Sequence, residues 1–155
     1  MSDRSADMLR LVSWDLQRFV DAQEHVYATA CAELKAGHKR GHWIWFVFPQ
    51  ITGLGRSPTS ERYAISSLDE ASAYLAHPIL GPRLRTCAEL IADLEGWTAR
   101  EVLGHPDDLK LRSSMTLFSL AAADIAIFEK VLERYFGGDR DPLTLERLRQ
   151  QRERA

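Results

Sequence analysis

The chain has 155 residues, of which 45% are hydrophobic and 27% are charged, and its formal net charge is −2. A chain of this size and composition fits one folded domain with a buried core, which excludes wholesale disorder. The near-neutral charge argues against generic nucleic-acid binding, because a protein that coats a polyanion usually has a basic excess. It does not exclude a local basic patch.

Cysteine content and hydropathy indicate the compartment. Cys31 and Cys87 are the two cysteines, and their spacing matches neither a disulfide framework nor a CxxC site, so both are expected to be reduced. The chain starts without a signal-peptide core, and no run approaches the roughly 18 apolar residues of a membrane span. We therefore expect a cytoplasmic protein without a membrane partner, monomeric by default.

The first half of the chain opens with a polar segment, and we expect residues 1–13 to form a flexible tail. From Asp15 to Leu34 apolar residues recur at spacings of three and four, which predicts an amphipathic helix. Gly37 is expected to end it. Gln23 falls on the apolar stripe, so its amide needs either a structural hydrogen bond or a place in a pocket.

A basic loop over residues 37–42 precedes six bulky apolar residues, Trp43 to Phe48. Residue preference favours a strand for this apolar segment, but the chain has no second strong strand to pair with it. A buried helical turn therefore explains the segment equally well. Pro49 ends it, and residues 50–58 are punctuated by glycine.

The second half reads as short helices with clear start and stop signals. Two capping boxes are expected, Ser67 with Glu70 and Thr98 with Glu101. Pro78 and Pro82 mark the start of one helix, Gly96 its end, and Gly104 the end of the next. Pro106, followed by Asp107 and Asp108, begins a helix that runs to Leu120. Asp124 and Gly137 bound another helix, and Asp141-Pro142 begins the last. About seven helices predict a compact, mostly α-helical fold, with one domain over residues 14–148 and a frayed end over 149–155.

The basic loop contains the first candidate ligand groups. His38 and His42 lie four residues apart, but neighbouring glycines disfavour a regular helix and no acidic or cysteine partner is near in sequence. We therefore predict no metal site and no cofactor. Lys39 and Arg40 are either solvated or contact a phosphate.

The glycine-rich segment Gly53 to Ser57 is the second candidate. Glycines let backbone N–H groups approach an anion, and Arg56 could clamp a phosphate or carboxylate beside Gln50, Gly55 and Ser57. The pattern is neither a Walker A loop nor a dinucleotide-binding fingerprint. A plain turn between packed segments is the alternative.

The helix from Leu109 to Leu120 is the third candidate, because Lys110, Ser113 and Ser114 share one of its faces. Burying a lysine is costly unless a charge or a ligand meets it. The side chain therefore lines a pocket, reaches water at the helix end, or pairs with Asp107 or Asp108. Aromatic stacking on Trp43 or Trp45 is a further option, although such residues are more often core.

Over most of its length the sequence resembles the domain of unknown function 1810 family, from about Leu16 to Leu148. The matching stretches are Gly37-His38-Lys39, His42 to Gln50, Gly53 to Ser57, Tyr63 to Leu68, Tyr74 to Pro78, Leu80-Gly81 and Asp107 to Phe118. The resemblance implies a compact, mainly helical fold in small bacterial proteins. It implies no function.

A more distant resemblance concerns Pro58-Thr59-Ser60-Glu61-Arg62-Tyr63, which is similar to a segment of the NADAR family, named for NAD and ADP-ribose. Some members of that family cleave N-glycosidic bonds. The resemblance implies a catalytic Glu61 beside Tyr63, with the Lys110 to Met115 helix completing the pocket. Without it, Glu61 is explained by first-turn charge stabilisation of a helix.

Three functional hypotheses follow from these features. The first is an N-glycosidase-like hydrolase of a ribosylated, phosphate-bearing small molecule, with Glu61 activating water. The second is a module that binds a nucleotide or phosphorylated metabolite without chemistry. The third is a protein-interaction module that presents the Trp43 to Phe48 segment.

Overall fold

The computed structural model describes residues 14–154, and over this range the chain forms ten helices and no strand. The predicted all-α class is confirmed. The predicted count of about seven was too low because several helices are only four or five residues long, too short for a periodic apolar pattern. The expected tail over residues 1–13 lies outside the described residues.

The helices alternate with short connections throughout. They are α1 Gln17–Glu24, α2 Tyr27–Ala36, α3 Ile44–Val47, α4 Pro58–Arg62, α5 Leu68–Ala76, α6 Leu80–Ala92, α7 Ala99–Leu103, α8 Asp107–Ser119, α9 Ala126–Phe136 and α10 Pro142–Arg154. None of these helices is long and apolar enough to cross a bilayer. An isolated bridge joins Ile51 to Ile65 between α3 and α5.

The first predicted helix is two helices, which meet at His25 and Val26. The buried positions Gln23 and Ala30 stay in phase across the break because they lie two turns apart, so periodicity alone predicts one helix. The predicted end at Gly37 is confirmed: its φ is 77°, and its N–H donates to carbonyls of the last turn of α2.

The apolar segment Trp43 to Phe48 forms a buried helical turn, so the second of the two predicted alternatives is confirmed. Trp43 is 1% exposed and Phe48 is fully buried. Gln23 explains part of this packing: its Nε2 donates to the Phe46 carbonyl at 2.6 Å and to Tyr74 Oη at 3.0 Å. The Gln23 amide therefore has a structural role, because its hydrogen bonds connect α1 with α3 and α5.

Helices α6 and α8 lie at the centre of the core. α9 packs on both, α5 also contacts both, and α7 and α10 pack on α8. α8 is buried around most of its circumference, with Leu111, Met115 and Phe118 fully buried. The buried hydroxyls of Ser113, Thr116 and Ser119 donate to carbonyls of the same helix, as when Thr116 Oγ1 donates to the Arg112 carbonyl at 2.8 Å.

The predicted caps are correct in part. Thr98 and Glu101 form a reciprocal capping box at α7. Ser67 Oγ accepts the Glu70 N–H, but the Glu70 carboxylate accepts the Ser66 N–H instead of the Ser67 N–H, so this cap is not reciprocal. Asp124 does not cap α9, because the helix begins one residue later than predicted, after Ile125.

The C-terminal helix continues to Arg154, past Leu148 where fraying was predicted. Arg149 pairs with Glu146 and with Glu153, one turn away on either side. Two hydrogen bonds tie the helix to the rest of the fold: Arg147 Nε donates to the Thr52 carbonyl at 3.2 Å, and Gln151 Nε2 donates to the Ser66 carbonyl at 2.7 Å. Because these two hydrogen bonds join residues far apart in the chain, no local sequence pattern predicts them.

Candidate functional site

A cleft of about 520 Å³ opens where α3, the glycine-rich loop, α8 and the start of α10 meet. Its volume falls in the range of small-molecule sites, about 300–1,000 Å³. The cleft brings together five residues that the sequence predicted as ligand contacts: Trp45, Gln50, Gly55, Lys110 and Ser113. The remaining lining residues are Leu54, Pro106, Leu109, Arg112, Asp141 and Leu143.

The cleft has an apolar rim. Leu109 is 49% exposed and Leu143 is 67% exposed, and both line the cleft together with the half-buried Trp45. Exposed leucines that line one cleft can cover the face of a planar ligand. Predominantly apolar walls with a few convergent polar groups are typical of small-molecule sites.

Lys110 is the principal cation of the cleft. Its Nζ lies 2.9 Å from Asp107 Oδ1 and 4.0 Å from the centroid of the Trp45 ring. Two of the alternatives from the sequence therefore hold together, because the lysine pairs with Asp107 and also lines the pocket. The ion pair and the ring face offset the cost of removing the ammonium from water.

Asp107 bridges two lysines. Its Oδ2 lies 2.8 Å from the Nζ of Lys39, whose side chain is 7% exposed. Burial acts to raise the pKa of Asp107, but hydrogen bonds from Lys39 and Lys110 and their positive charges hold it below its ordinary value. One carboxylate thus serves two ammonium groups, which leaves an excess positive charge behind the cleft.

The one acidic lining residue, Asp141, is already committed to a helix cap. Its Oδ2 accepts the Thr144 N–H at 3.1 Å and the Thr144 hydroxyl at 2.6 Å, and Ser113 Oγ lies 2.9 Å away. A carboxylate at the start of α10 is favoured by the helix dipole and is partly neutralised by it. The negative charge of Asp141 therefore opposes the binding of an anion in the cleft less than a free carboxylate would.

Arg112 adds a second cation to the lining. Its guanidinium donates to the carbonyls of Asp139 and Arg140, both at 3.0 Å. Those bonds hold the segment before α10 against α8 and fix the guanidinium at the cleft. The lining therefore carries two cations, Lys110 and Arg112, against the single capped carboxylate of Asp141.

Glu61 and Tyr63 line a separate, much smaller hollow of about 10 Å³. This volume is near the minimum for a single water molecule. The hollow and the cleft share four wall residues, Trp45, Gln50, Leu54 and Gly55. Glu61 is exposed on α4, whereas the Tyr63 ring packs 5.2 Å from the Phe46 ring. Glu61 and Lys110 thus line adjoining cavities and not one common cavity.

Two residues that the sequence predicted as ligand contacts are core residues. Trp43 is 1% exposed, and its Nε1 donates to Glu33 Oε1 at 2.8 Å, so its ring is not available for stacking. Ser114 is fully buried, and among the described residues its Oγ has no hydrogen-bond partner. Both side chains therefore belong to the core and do not face the cleft.

The other predicted contacts lie outside the cleft lining. Arg56 and Ser57 are exposed, and Ser57 Oγ accepts the Ser60 N–H as the cap of α4. Lys39 reaches the cleft only through Asp107. Arg40 is exposed, and its N–H donates to Glu33 Oε1 at 2.9 Å. Residues 14–154 contain no group of three side chains suited to a metal ion.

Sequence reasoning missed Arg112, Asp141 and Leu143 as lining residues. The sequence predicts Asp141 only as the start of a helix, since an aspartate before a proline signals a cap. The sequence did contain one indication of a binding surface, since Leu143 is an apolar residue in the first turn of a charged helix. Nothing local indicated that α10 would lie beside Lys110.

Comparisons with known proteins place the chain in a family. No curated protein matches it. The crystal structure of the conserved hypothetical protein Rv1873 from Mycobacterium tuberculosis is similar, with a TM-score of 0.86 and 53% sequence identity over 87% of this chain and 96% of that chain. The more distant NADAR resemblance stays a prediction. The model of the DUF1810 family, described as a protein of unknown function, matches residues 13–148, so the chain belongs to the DUF1810 family.

Proposed function

We propose that the cleft binds a small molecule that carries a phosphate and a ribosylated planar base. The observation that carries the proposal is the placement of Lys110, whose ammonium is held over the Trp45 ring and beside Asp107 inside a cleft of about 520 Å³. A cation held in a partly dry cleft is a strong anchor for a phosphate oxygen.

Charge favours an anionic ligand. Lys110 and Arg112 line the cleft, and Lys39 adds a third cation behind it through Asp107. The carboxylates that oppose them are engaged, Asp107 by two lysines and Asp141 by the first turn of α10. An incoming phosphate therefore meets a positive field with few free acceptors to repel it.

The apolar rim favours a flat ligand group. Leu109 and Leu143 stand exposed at the cleft mouth, and Leu54 and Pro106 continue the same surface. A purine or similar base would cover these side chains and remove them from water. Gln50 supplies an amide that can bond to a ribose, and Ser113, whose hydroxyl proton is engaged within the protein, supplies an acceptor oxygen.

Binding is better supported than hydrolysis. The carboxylate proposed to activate water, Glu61, lines the adjoining hollow and not the cleft that holds Lys110. That hollow has room for about one water molecule. A ligand seated in the cleft could meet Glu61 only across the wall of Trp45 and Gln50.

The protein-interaction hypothesis loses its original basis, because the Trp43 to Phe48 segment is mostly core. Trp43, Ile44, Val47 and Phe48 are all buried, so the segment does not present a contiguous apolar patch.

Binding is tested by calorimetry and thermal shift with ADP-ribose, AMP and ribose 5-phosphate. Lys110→Met keeps the aliphatic stem and removes the charge, while Lys39 still pairs with Asp107. A charge-assisted hydrogen bond contributes about 1.5–3 kcal/mol, so we expect affinity to fall roughly 10- to 150-fold. Lys130→Met is the matched control, since that lysine is 61% exposed on α9. Equal affinity in both variants, or no binding of any probe by the wild type, would refute the proposal.

Catalysis is tested separately with Glu61→Gln. The substitution keeps the shape of the side chain and removes the carboxylate. If the protein only binds, wild type and variant bind ADP-ribose equally and neither releases ribose products. Turnover by the wild type that is lost in Glu61→Gln would support the N-glycosidase-like hydrolase instead.

A further inference from the structure

Both cysteines lie where helices α2 and α6 pack against each other. Cys31 is half-buried on α2, and Cys87 is fully buried on α6. Both are free thiols. Neither cysteine lines the cleft or the hollow beside it.

The register of the two helices brings the thiols together. The Arg83 guanidinium lies 4.7 Å from the centroid of the Tyr27 ring, which fixes one level of contact between α2 and α6. Cys31 and Cys87 each follow four residues later, one turn further along the same faces. At that level the Cys31 and Cys87 side chains lie close enough for each thiol to shift the pKa of the other.

The environment divides the roles of the two thiols. The hydrogen bond from Cys87 lowers the pKa of Cys31 to about 6 against the opposing effect of burial, and Tyr27 and Arg83 add to the lowering. The same hydrogen bond, together with burial, raises the pKa of Cys87. Cys31 is therefore the more readily ionised thiol of the two, and Cys87 is the one that more readily keeps its proton.

We propose that Cys31 and Cys87 form a redox pair which hydrogen peroxide converts to an intramolecular disulfide between α2 and α6. Cys31 is the partly exposed member and meets the oxidant, and Cys87 is the buried member that resolves the product. This modification site is independent of the ligand proposed for the cleft.

The reaction balances with peroxide as the only oxidant. The Cys31 thiolate attacks one peroxide oxygen: an S–O bond forms, the O–O bond breaks, and the departing hydroxide takes the Cys87 proton to become water. The Cys87 thiolate then attacks the Cys31 sulfur. The S–S bond forms, the S–O bond breaks, and the sulfenic oxygen leaves as hydroxide, which gains a proton from solvent to become the second water. Both sulfurs are oxidised and one peroxide is reduced.

The test uses the reduced full-length protein, treated with one equivalent of hydrogen peroxide and then alkylated under denaturing, non-reducing conditions. We expect unalkylated protein whose tryptic digest links residues 19–35 to residues 86–100, and dithiothreitol should separate the two peptides. Thiols that still alkylate after peroxide treatment, or a disulfide formed only between two chains on a non-reducing gel, would overturn the proposal.

Two variants assign the roles. In Cys87→Ala the reaction should stop at the sulfenic acid of Cys31, which dimedone captures. In Cys31→Ala the buried Cys87 should remain alkylatable. Dimedone labelling of Cys87 in Cys31→Ala, with no labelling of Cys31 in Cys87→Ala, would contradict the assignment. Because Cys87 belongs to the core, the peptide map of the wild type decides the existence of the disulfide even if a variant folds poorly.

Discussion

The Asp107 carboxylate offers the sharpest test of the electrostatics described above. In Asp107→Asn the side chain keeps its size, but Lys39 and Lys110 lose their shared negative partner. Both ammonium groups are largely removed from water, with side chains 7% and 18% exposed. Removing one member of a fully buried ion pair costs about 3–5 kcal/mol, and partial exposure reduces this to about 2–3 kcal/mol.

The assay is thermal unfolding followed by circular dichroism at pH 7. A loss of this size corresponds to a Tm lower by roughly 4–12 °C for a chain of this length. Asp108→Asn is the matched control, since it removes a neighbouring carboxylate from the same helical turn. Asp108 pairs with His105, whose side chain is 46% exposed, so we expect Asp108→Asn to lower the free energy of unfolding by less than about 1 kcal/mol. Equal Tm changes in the two variants would refute the reasoning.

The pH dependence follows from the lowered pKa of Asp107. Because its folded-state pKa lies below the ordinary value of 3.8, the stabilisation is fully present above that value and is lost as pH falls through the folded-state pKa. The Tm difference between wild type and Asp107→Asn should therefore shrink as the pH is lowered below about 4. A difference that stays constant down to pH 2.5 would show that the carboxylate charge is not its source.

Three further predictions concern packing and buried polar groups, each measured as the free energy of unfolding in urea. Gln23→Leu should cost about 2–3 kcal/mol, because the Phe46 carbonyl loses its short hydrogen bond and keeps only the 3.5 Å contact from Tyr74 Oη; a neutral result would show that water or Tyr74 replaces the amide. Gly81→Ala should cost several times its helix-propensity gain of about 1 kcal/mol, since a Cβ there would overlap the carbonyl oxygen of Leu75. Ser114→Ala should be neutral or stabilising by up to about 1 kcal/mol, because the hydroxyl is buried without a partner among residues 14–154, and clear destabilisation would contradict this.

Local signals in the sequence predicted local structure well. The Thr98 box and the Gly37 stop depend on neighbours within one turn, so their chemistry is visible in a short window. The break at Val26 was invisible because the apolar phase continues through it. The state of Trp43 to Phe48 could not be decided locally, since it depends on whether a strand partner exists elsewhere in the chain.

The candidate site shows the same division. Trp43 and Trp45 are the same residue type and lie two positions apart, yet Trp43 belongs to the core and Trp45 lines the cleft. Trp43 precedes the helical turn with a φ of −120°, whereas Trp45 lies inside the turn, so sequence spacing alone does not decide which of the two rings faces the cleft. Asp141 and Leu143 were missed because only the packing of α10 on α8 brings them beside Lys110.

Helix α10 also determines when the cleft can first exist. Its opening residues Asp141 and Leu143 form one wall, and Arg147 bonds to Thr52 in the segment that leads into the glycine-rich loop. During synthesis this helix leaves the ribosome after the other nine described helices. The cleft is therefore complete only when α10 is packed on α8. A small molecule that binds there also stabilises the packed position of α10, because it binds the folded protein and not a chain with α10 detached.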